Sequence, residues 1–212
     1  MPLTEKARHD PGRGLFLPLV EQFFSIQGEG YHTGRAAWFI RLAGCDIGCS
    51  WCDSKHTWNA DRFPRLPVAG IVEKAREAPV RDVVISGGEP LMHDLRPLTD
   101  LLKKESFTIY LETSGAYPLR GTFDWICLSP KEQKPPLPGI FPVAHELKVV
   151  IEAEKDFRWA EENAGKVREE CHLFLQPEWS RYREVLPFMI EYVKGHPRWR
   201  ISLQVHKFMH IP

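Results

Sequence analysis

The sequence has no excess of charge of either sign and no long apolar run. Its 212 residues contain 28 Lys and Arg against 28 Asp and Glu, so the formal net charge is zero. A neutral chain gives no support to a nucleic-acid or membrane-surface partner that is held by bulk electrostatics. No apolar run reaches the length of a membrane span. The first fourteen residues are polar and lack the apolar core of a signal peptide.

Cysteine is scarce, and the five that are present are odd in number. An odd count without an export signal disfavours a disulfide framework and predicts a cytoplasmic protein with free thiols. Internal repeats and low-complexity tracts are also missing. The length suits one domain with a large core. We therefore expect a flexible N-terminal arm at residues 1–17 and a single domain at residues 18–212.

Three of the five cysteines fall within eight residues. Cys45, Cys49 and Cys52 have the spacing C-x3-C-x2-C. Thiolates are soft ligands that select iron–sulfur clusters, zinc or copper(I). Iron–sulfur clusters normally have four cysteine ligands, so a cluster with three would leave one iron free to bind a substrate. The spacing favours such a cluster.

A structural zinc site is the main alternative for the same loop. His56 follows Cys52 by four residues and offers a fourth ligand. Structural zinc usually takes its ligands from two well-separated knuckles, but here Cys127 and Cys171 stand alone. Trp51 is suited to packing on a flat cofactor such as adenine, or equally to a place in the core. The spacing alone leaves zinc open.

Short apolar runs alternate with helical patterns along the whole chain. This alternation predicts βα units and an α/β fold. Predicted strands lie at residues 19–26, 37–42, 82–86, 107–112, 124–128, 146–151, 172–176 and 200–205, and predicted helices at 67–77, 91–105, 155–167 and 182–193. Since a complete (β/α)₈ barrel takes about 250 residues, we expect a partial, open parallel β/α barrel with about six core strands.

Polar and glycine-rich segments follow the predicted strands repeatedly. In a parallel α/β fold such segments meet at the carboxyl ends of the strands, where these folds bind ligands. In the turn Gly87-Gly88-Glu89-Pro90, two glycines let a ligand approach the backbone closely. The turn is suited to the amino and carboxylate groups of an amino-acid-like cofactor, although an ordinary strand-to-helix turn has the same composition.

Together, the cysteine spacing, the aromatic residue before the third cysteine and the Gly-Gly-Glu-Pro turn resemble the radical S-adenosylmethionine (SAM) superfamily. The resemblance implies that the cysteines hold a [4Fe-4S] cluster whose fourth iron binds SAM. It also implies reductive cleavage of SAM to a 5′-deoxyadenosyl radical. In such enzymes the cofactor carries the difficult chemistry and the protein supplies positioning.

Further segments are similar to the 7-carboxy-7-deazaguanine synthase family, from about Val20 to Pro212. The similar segments are residues 25–30, 39–45, 49–53, 112–115, 129–131, 146–151 and 206–212. The resemblance implies a lyase that converts 6-carboxy-5,6,7,8-tetrahydropterin to 7-carboxy-7-deazaguanine with loss of ammonia, on the route to deazapurines such as queuosine. It also implies Mg²⁺, a homodimer, and an external electron donor, flavodoxin or ferredoxin.

The same resemblance implies a set of site residues, with no catalytic side chain beyond the cofactor-derived radical. The metal ligands would be Cys45, Cys49 and Cys52 for the cluster and Ser54 for magnesium. Substrate would be bound by Ile26, Gln27, Gly28, Glu29, Arg41, Ser86, His206 and Pro212. SAM would be bound by Trp51, Asp53, Gly88, Glu112, Ser129, Pro130, Lys131, Gln176, Pro177, Glu178 and Trp179.

The chemistry of several of these residues suits their expected roles. The Gln27 amide both donates and accepts hydrogen bonds, and the Arg41 guanidinium pairs bidentately with carboxylates. Ser54 stands where the family typically has threonine, and its hydroxyl can still coordinate a hard cation. Each has a structural alternative: a turn for Gln27, a strand-end ion pair for Arg41, and a purely structural histidine at position 206.

Two other functions remain open at this point. One is a different radical SAM enzyme, such as an activase that forms a glycyl radical on a partner chain. The other is a non-catalytic zinc-binding module. Iron, sulfide and a brown colour would indicate a cluster, whereas colourless protein with about one zinc per chain would indicate the module.

Overall fold

A nine-stranded open sheet organises the chain in a computed structural model that describes residues 13–212. The strands are β1 Phe16–Ile26, β2 Ala36–Leu42, β3 Arg65–Pro67, β4 Asp82–Gly87, β5 Thr108–Thr113, β6 Trp125–Leu128, β7 Glu146–Ile151, β8 His172–Pro177 and β9 Trp199–Ile201. The helices are α1 Val68–Arg76, α2 Arg96–Lys104, α3 Asp156–Ala164, α4 Tyr182–Gly195 and α5 Val205–Met209. The strand order is β3-β1-β2-β4-β5-β6-β7-β8-β9.

Seven neighbouring strands of this sheet are parallel. They run from β2 through β4 to β9, while β1 pairs antiparallel with both β2 and β3. The short strands β3 and β9 end the sheet on its two sides and do not pair with each other. The predicted open, mostly parallel α/β architecture is confirmed.

The two faces of the parallel sheet have opposite character, because side chains alternate between faces along a strand. In β7, Leu147, Val149 and Ile151 belong to the main apolar core. Lys148 and Val150, which alternate with them, line a cavity on the other face. One face therefore packs in the apolar core, and the other is a concave polar surface.

The first strand begins earlier than the sequence predicted. β1 starts at Phe16 and not at residue 19, so Phe16 and Leu17, which the predicted arm at residues 1–17 included, belong to the sheet. Leu17 is 1% exposed and pairs with Leu66 of β3, a strand that the sequence did not predict. Burial of Leu17 and this pairing explain the earlier start. Residues 1–12 of the predicted arm lie outside the described residues.

The predicted helix at 91–105 is wrong in its first turn. A short 3-10 turn, Pro90–Met92, is followed by α2, which begins only at Arg96. The Asp94 carboxylate accepts a hydrogen bond from the Arg96 amide at 3.1 Å. This local bond competes with helical hydrogen bonding and separates the turn from the helix.

The predicted last strand at 200–205 is also wrong beyond Ile201. The Ser202 amide still donates to Leu175 at 2.8 Å, but the Val205 amide donates to the carbonyl of Gly28 at 2.9 Å. The chain thus leaves the sheet edge and forms the unpredicted helix α5 against the loop after β1. Among residues 13–212, no helix has the length and apolar character that crossing a bilayer requires.

Candidate active site

A cavity of about 460 Å³ opens at the carboxyl ends of the parallel strands. Its walls come from the loops after β2, β4, β5, β6 and β8, from the end of β1, and from α5 with the residues after it. All of the residues predicted to bind substrate, SAM or metal line this cavity except Pro130, which is buried and does not line it. The structure therefore brings together residues that are up to 186 positions apart, from Ile26 to Pro212.

The cysteine loop supplies three free thiols to the cavity. Cys45, Cys49 and Cys52 all line it, and none is in a disulfide. Thiolates are soft ligands, so three of them at one cavity suit an iron–sulfur cluster.

The Gly-Gly-Glu-Pro turn packs directly on the cysteine loop. The Glu89 amide donates to Gly44 at 2.8 Å. A Cβ atom on Gly88 would lie 2.4 Å from the Gly44 carbonyl oxygen and 2.8 Å from Cys45 Cβ. Glycine is thus required at position 88 by the approach of two backbone segments. The sequence had indicated only the approach of a ligand.

The buried Glu89 carboxylate fixes the same turn from the other side. Its oxygens accept hydrogen bonds from the Thr113 hydroxyl at 2.6 Å, from the Ser114 amide at 2.8 Å and from the Leu91 amide at 3.0 Å. Glu89 is 1% exposed. A fully satisfied buried carboxylate ties the loop after β4 to the end of β5.

The floor of the cavity is a charged network around Lys148. The Lys148 ammonium, whose side chain is 5% exposed, donates to Glu29 at 2.6 Å and to Glu112 at 3.0 Å. Gln27 donates to the other oxygen of Glu112 at 3.2 Å, and Gln204 donates to Glu29 at 2.9 Å. Burial by itself would raise the pKa of Glu29, but Lys148 and Gln204 lower it to about 2. Glu29 is therefore ionised at neutral pH.

The chain after β9 forms a second wall of the cavity. Lys207 donates to the Asp53 carboxylate at 2.7 Å and so connects α5 to the end of the cysteine loop. His206 lies against Gly28, where a Cβ atom would be 2.2 Å from His206 Nδ1. Burial lowers the pKa of His206, so its imidazole is neutral at neutral pH. Helix α5 thereby brings two charged or polar side chains to the cavity.

Arg41 lies at the rim in an ion pair. Its Nε donates to Glu21 at 2.7 Å, and the two residues face each other across β1 and β2. Ser86 is the register partner of Arg41 on the other side, in β4. The Ser25 hydroxyl donates to the Pro212 oxygen at 3.1 Å. Arg41 thus lines the cavity and also makes the strand-end ion pair that was its structural alternative.

The predicted SAM side of the cavity carries another cation. The Lys131 ammonium donates to the Ser129 carbonyl and hydroxyl oxygens, at 2.6 Å each, and lies 5.6 Å from the centre of the Trp51 ring. Burial lowers the pKa of Lys131. Ser54, the predicted magnesium ligand, donates from its hydroxyl to Asp53 at 3.1 Å. The contact between Lys131 and Trp51 connects the loop after β6 to the cysteine loop.

Several lining residues were not assigned a role from the sequence. Lys148, Gln204 and Lys207 are the ones that form the hydrogen-bonded network. Lys148 carried a usable indication, since it is the one charged residue within the apolar run at residues 147–151. Gln204 and Lys207 carried none, because the sequence predicted a strand end where the structure has α5.

Comparison with known proteins agrees with this geometry. Residues 39–126 match the family model described as the radical SAM superfamily. The 7-carboxy-7-deazaguanine synthase of Flavobacterium psychrophilum is 50% identical over 210 residues, which cover 99% of this chain and 100% of that protein. This chain belongs to the 7-carboxy-7-deazaguanine synthase family. The enzyme of that name from Synechocystis sp. is also 50% identical, over 91% of this chain and 92% of that protein.

A solved structure from the same family supports the fold. The crystal structure of QueE from Escherichia coli has a TM-score of 0.79 and 33% sequence identity, covering 89% of this chain and 93% of that one. Superfamily membership implies a [4Fe-4S] cluster and SAM as cofactors. The three free cysteines at one cavity have the soft donor set that such a cluster requires.

Proposed function

We propose that this member of the 7-carboxy-7-deazaguanine synthase family is a radical SAM lyase. It would convert 6-carboxy-5,6,7,8-tetrahydropterin to 7-carboxy-7-deazaguanine with loss of ammonia, in deazapurine and queuosine biosynthesis. The observation that carries the proposal is that one cavity joins Cys45, Cys49 and Cys52 to a polar wall with Arg41 and Glu29. A cluster-bound cofactor and a polar heterocycle with a carboxylate would meet there.

The proposed roles follow from the donors and acceptors of each side chain. Cys45, Cys49 and Cys52 would ligate the cluster, which together with SAM supplies the radical chemistry when bound. The ionised Glu29 would accept hydrogen bonds from N–H groups of the pterin. Arg41 would pair with the substrate carboxylate in place of its present partner, Glu21. The remaining residues predicted from the resemblance keep their proposed roles.

Magnesium and the partners are part of the same proposal. Ser54 would offer its hydroxyl to Mg²⁺ together with oxygens of the substrate.

The chain would form a homodimer. Its electrons would come from flavodoxin or ferredoxin, since the described residues include no second group of cysteines that could hold another cluster. Free thiols at all five cysteines fit the reducing cytoplasm as the proposed location. Light scattering would test the dimer.

The activity is tested with anaerobically reconstituted protein. With SAM, Mg²⁺, a reductant and the carboxytetrahydropterin, we expect formation of 7-carboxy-7-deazaguanine, detected by mass spectrometry. Cleavage of SAM without this product would contradict the proposed reaction and leave a different radical SAM activity, such as an activase. Colourless protein with about one zinc per chain would instead support the zinc-binding module.

Replacement of one cysteine tests the cluster site. Cys49→Ala removes a thiolate that lines the cavity, so iron content and product formation should fall together to background, because two protein ligands do not hold the cluster firmly. Cys171→Ala is the matched control, since Cys171 is also buried but does not line the cavity. Iron and sulfide analysis with circular dichroism would separate cluster loss from unfolding. Turnover retained by Cys49→Ala would overturn the assignment.

A further inference from the structure

Lys148 is the cation at the centre of the cavity floor. It lies on the inner face of β7, between Glu29 from the loop after β1 and Glu112 of β5. The Lys148 ammonium is within 3.0 Å of both carboxylates. A buried lysine is strongly disfavoured unless it is paired and hydrogen-bonded. Because burying Lys148 on an otherwise apolar strand is costly, we expect this residue to have a function.

The other titratable groups near Lys148 do not replace it as a partner of these two carboxylates. Cys127 of β6 and Glu146 of β7 face it from the side. Burial raises the pKa of the Cys127 thiol and also that of Glu146, whose carboxylate already accepts a hydrogen bond from the Tyr31 amide at 2.9 Å. Lys131 donates to Ser129 instead, and His206 is neutral, so neither takes the place of Lys148.

Glu29 and Glu112 have hydrogen-bonding partners that set their orientation. Gln204 holds one oxygen of Glu29 at 2.9 Å, and Gln27 holds one oxygen of Glu112 at 3.2 Å. Lys148 contacts the second oxygen of each carboxylate. Carboxylate oxygens have about four acceptor sites per group, so each keeps capacity for a ligand. Both glutamates line the cavity.

Two carboxylates that share one cation would repel each other if that cation were removed. A like charge close by raises the pKa of a carboxylic acid, and one of the pair then takes up a proton near neutral pH. A protonated carboxyl group loses acceptor capacity and becomes a donor. The charge of Lys148 thus decides whether this wall of the cavity offers two acceptors or an acceptor and a donor.

We infer that Lys148 is a positioning residue that holds the Glu29 and Glu112 carboxylates aimed into the cavity, where they accept hydrogen bonds from the N–H groups of a pterin ring, so that Glu112 serves the substrate and not SAM. The inference rests on the proposed function. The amino-pyrimidinone part of a pterin carries adjacent N–H donors, which match two fixed carboxylate acceptors. Arg41 would hold the carboxylate at the other end of the same ligand. Lys148 acts on the ligand through the two glutamates and does not touch the reacting atoms.

The test compares Lys148→Met with Lys148→Arg in the reconstituted holoenzyme. The probe is 6-carboxypterin, whose fluorescence reports equilibrium binding in the presence of SAM between pH 6 and pH 7.5. For Lys148→Met, we expect the ratio of its Kd to the wild-type Kd to rise about tenfold from pH 7.5 to pH 6, as one carboxylate protonates. Lys148→Arg keeps the charge and should restore a pH-independent ratio near one.

Two readouts separate this inference from the proposed function. If the wild-type protein neither binds 6-carboxypterin nor forms product, the proposed function fails whatever the variants do. If the wild type binds and Lys148→Met binds equally well at both pH values, the positioning role is overturned.

A combined variant covers the case in which Lys148→Met does not fold. Lys148→Met combined with Glu29→Gln and Glu112→Gln removes the cation and both anions together, so neither carboxylate remains. We expect this protein to fold, as shown by circular dichroism, and to bind 6-carboxypterin more weakly but with the pH dependence of the wild type. A pH-dependent loss that persists in this combined variant would contradict the inference, because it could not arise from the two carboxylates.

Discussion

The lysines of the cavity each have a different kind of partner. Lys148 is shared by Glu29 and a second carboxylate, Lys207 pairs with Asp53, and Lys131 donates to a neighbouring carbonyl and hydroxyl. Positive and negative groups therefore alternate around the cavity. Such a wall suits ligands that carry both N–H donors and carboxylates, as SAM and a carboxypterin do.

Glu29 gives a pH-dependent stability that can be measured. Its pKa in the folded protein is about 2, against an ordinary value of 4.5. The ionised carboxylate therefore stabilises the fold above pH 4.5, and this contribution, on the order of 3 kcal/mol, is lost as the pH falls to about 2. In Glu29→Gln the free energy of unfolding should be lower than in the wild type at pH 6.

The difference between the two proteins should shrink towards pH 2. Urea unfolding at a series of pH values would measure it, with Glu154→Gln as the control because Glu154 is an exposed glutamate outside the cavity. A difference that stays constant between pH 6 and pH 2 would contradict the assigned pKa of Glu29.

At the scale of elements, the site depends on two loops that pack on each other. The loop after β2 carries the cysteines, and the turn after β4 lies against it through Gly88 and Glu89. The parallel pairing of β2 with β4 places both loops at the same edge of the sheet. Helix α5 closes the other side through Lys207 and Asp53.

A side chain at position 88 should displace the cysteine loop. In Gly88→Ala the new Cβ would meet the Gly44 carbonyl oxygen at 2.4 Å, so one of the two segments has to move. We expect weaker SAM binding and less iron per chain after reconstitution, with little change in the far-ultraviolet circular dichroism. Gly139→Ala is the control, because nothing lies within 4 Å of a Cβ there. Equal iron content and SAM affinity in both variants would show that the loop tolerates the contact.

For the whole molecule, stability and function are placed on opposite faces of one sheet. The face covered by α1 to α4 is apolar, and the concave face is polar and lines the cavity. Substitutions in the apolar layer should therefore change stability with little effect on the affinity for ligands.

Leu98 of α2 tests this separation. Leu98 is fully buried in the main core, so Leu98→Ala should lower the free energy of unfolding by about 2–5 kcal/mol through lost burial and a residual cavity. Leu119→Ala, at a 37% exposed position, should change it by less than about 1 kcal/mol. The Kd for 6-carboxypterin, measured well below the unfolding temperature, should be unchanged in both variants. A large loss of affinity in Leu98→Ala would contradict the separation of the two faces.

Local patterns were sufficient to predict most strands and the position of the cysteine loop. Apolar runs such as residues 83–85 report burial directly, and the order of strands and helices restricts the fold to a parallel α/β sheet. The boundaries at Phe16, Arg96 and Ile201 differed, because a neighbouring strand or a side-chain hydrogen bond decided them. The neighbouring strand is distant in sequence, and the side-chain hydrogen bond competes with helical hydrogen bonds. The periodicity of apolar residues predicts neither of them.

Sequence alone was therefore enough to establish the cysteine loop, the Gly-Gly-Glu-Pro turn and the class of fold, since each depends on residues that are close together in the chain. Only the tertiary structure placed Lys148 between Glu29 and Glu112, which are 119 and 36 positions away. It also decided that residues 205–209 form a helix against the loop after β1. The physical reason is that ion pairs, and the packing of α5 on the loop after β1, depend on distance in space. The residues involved come together only when the sheet folds.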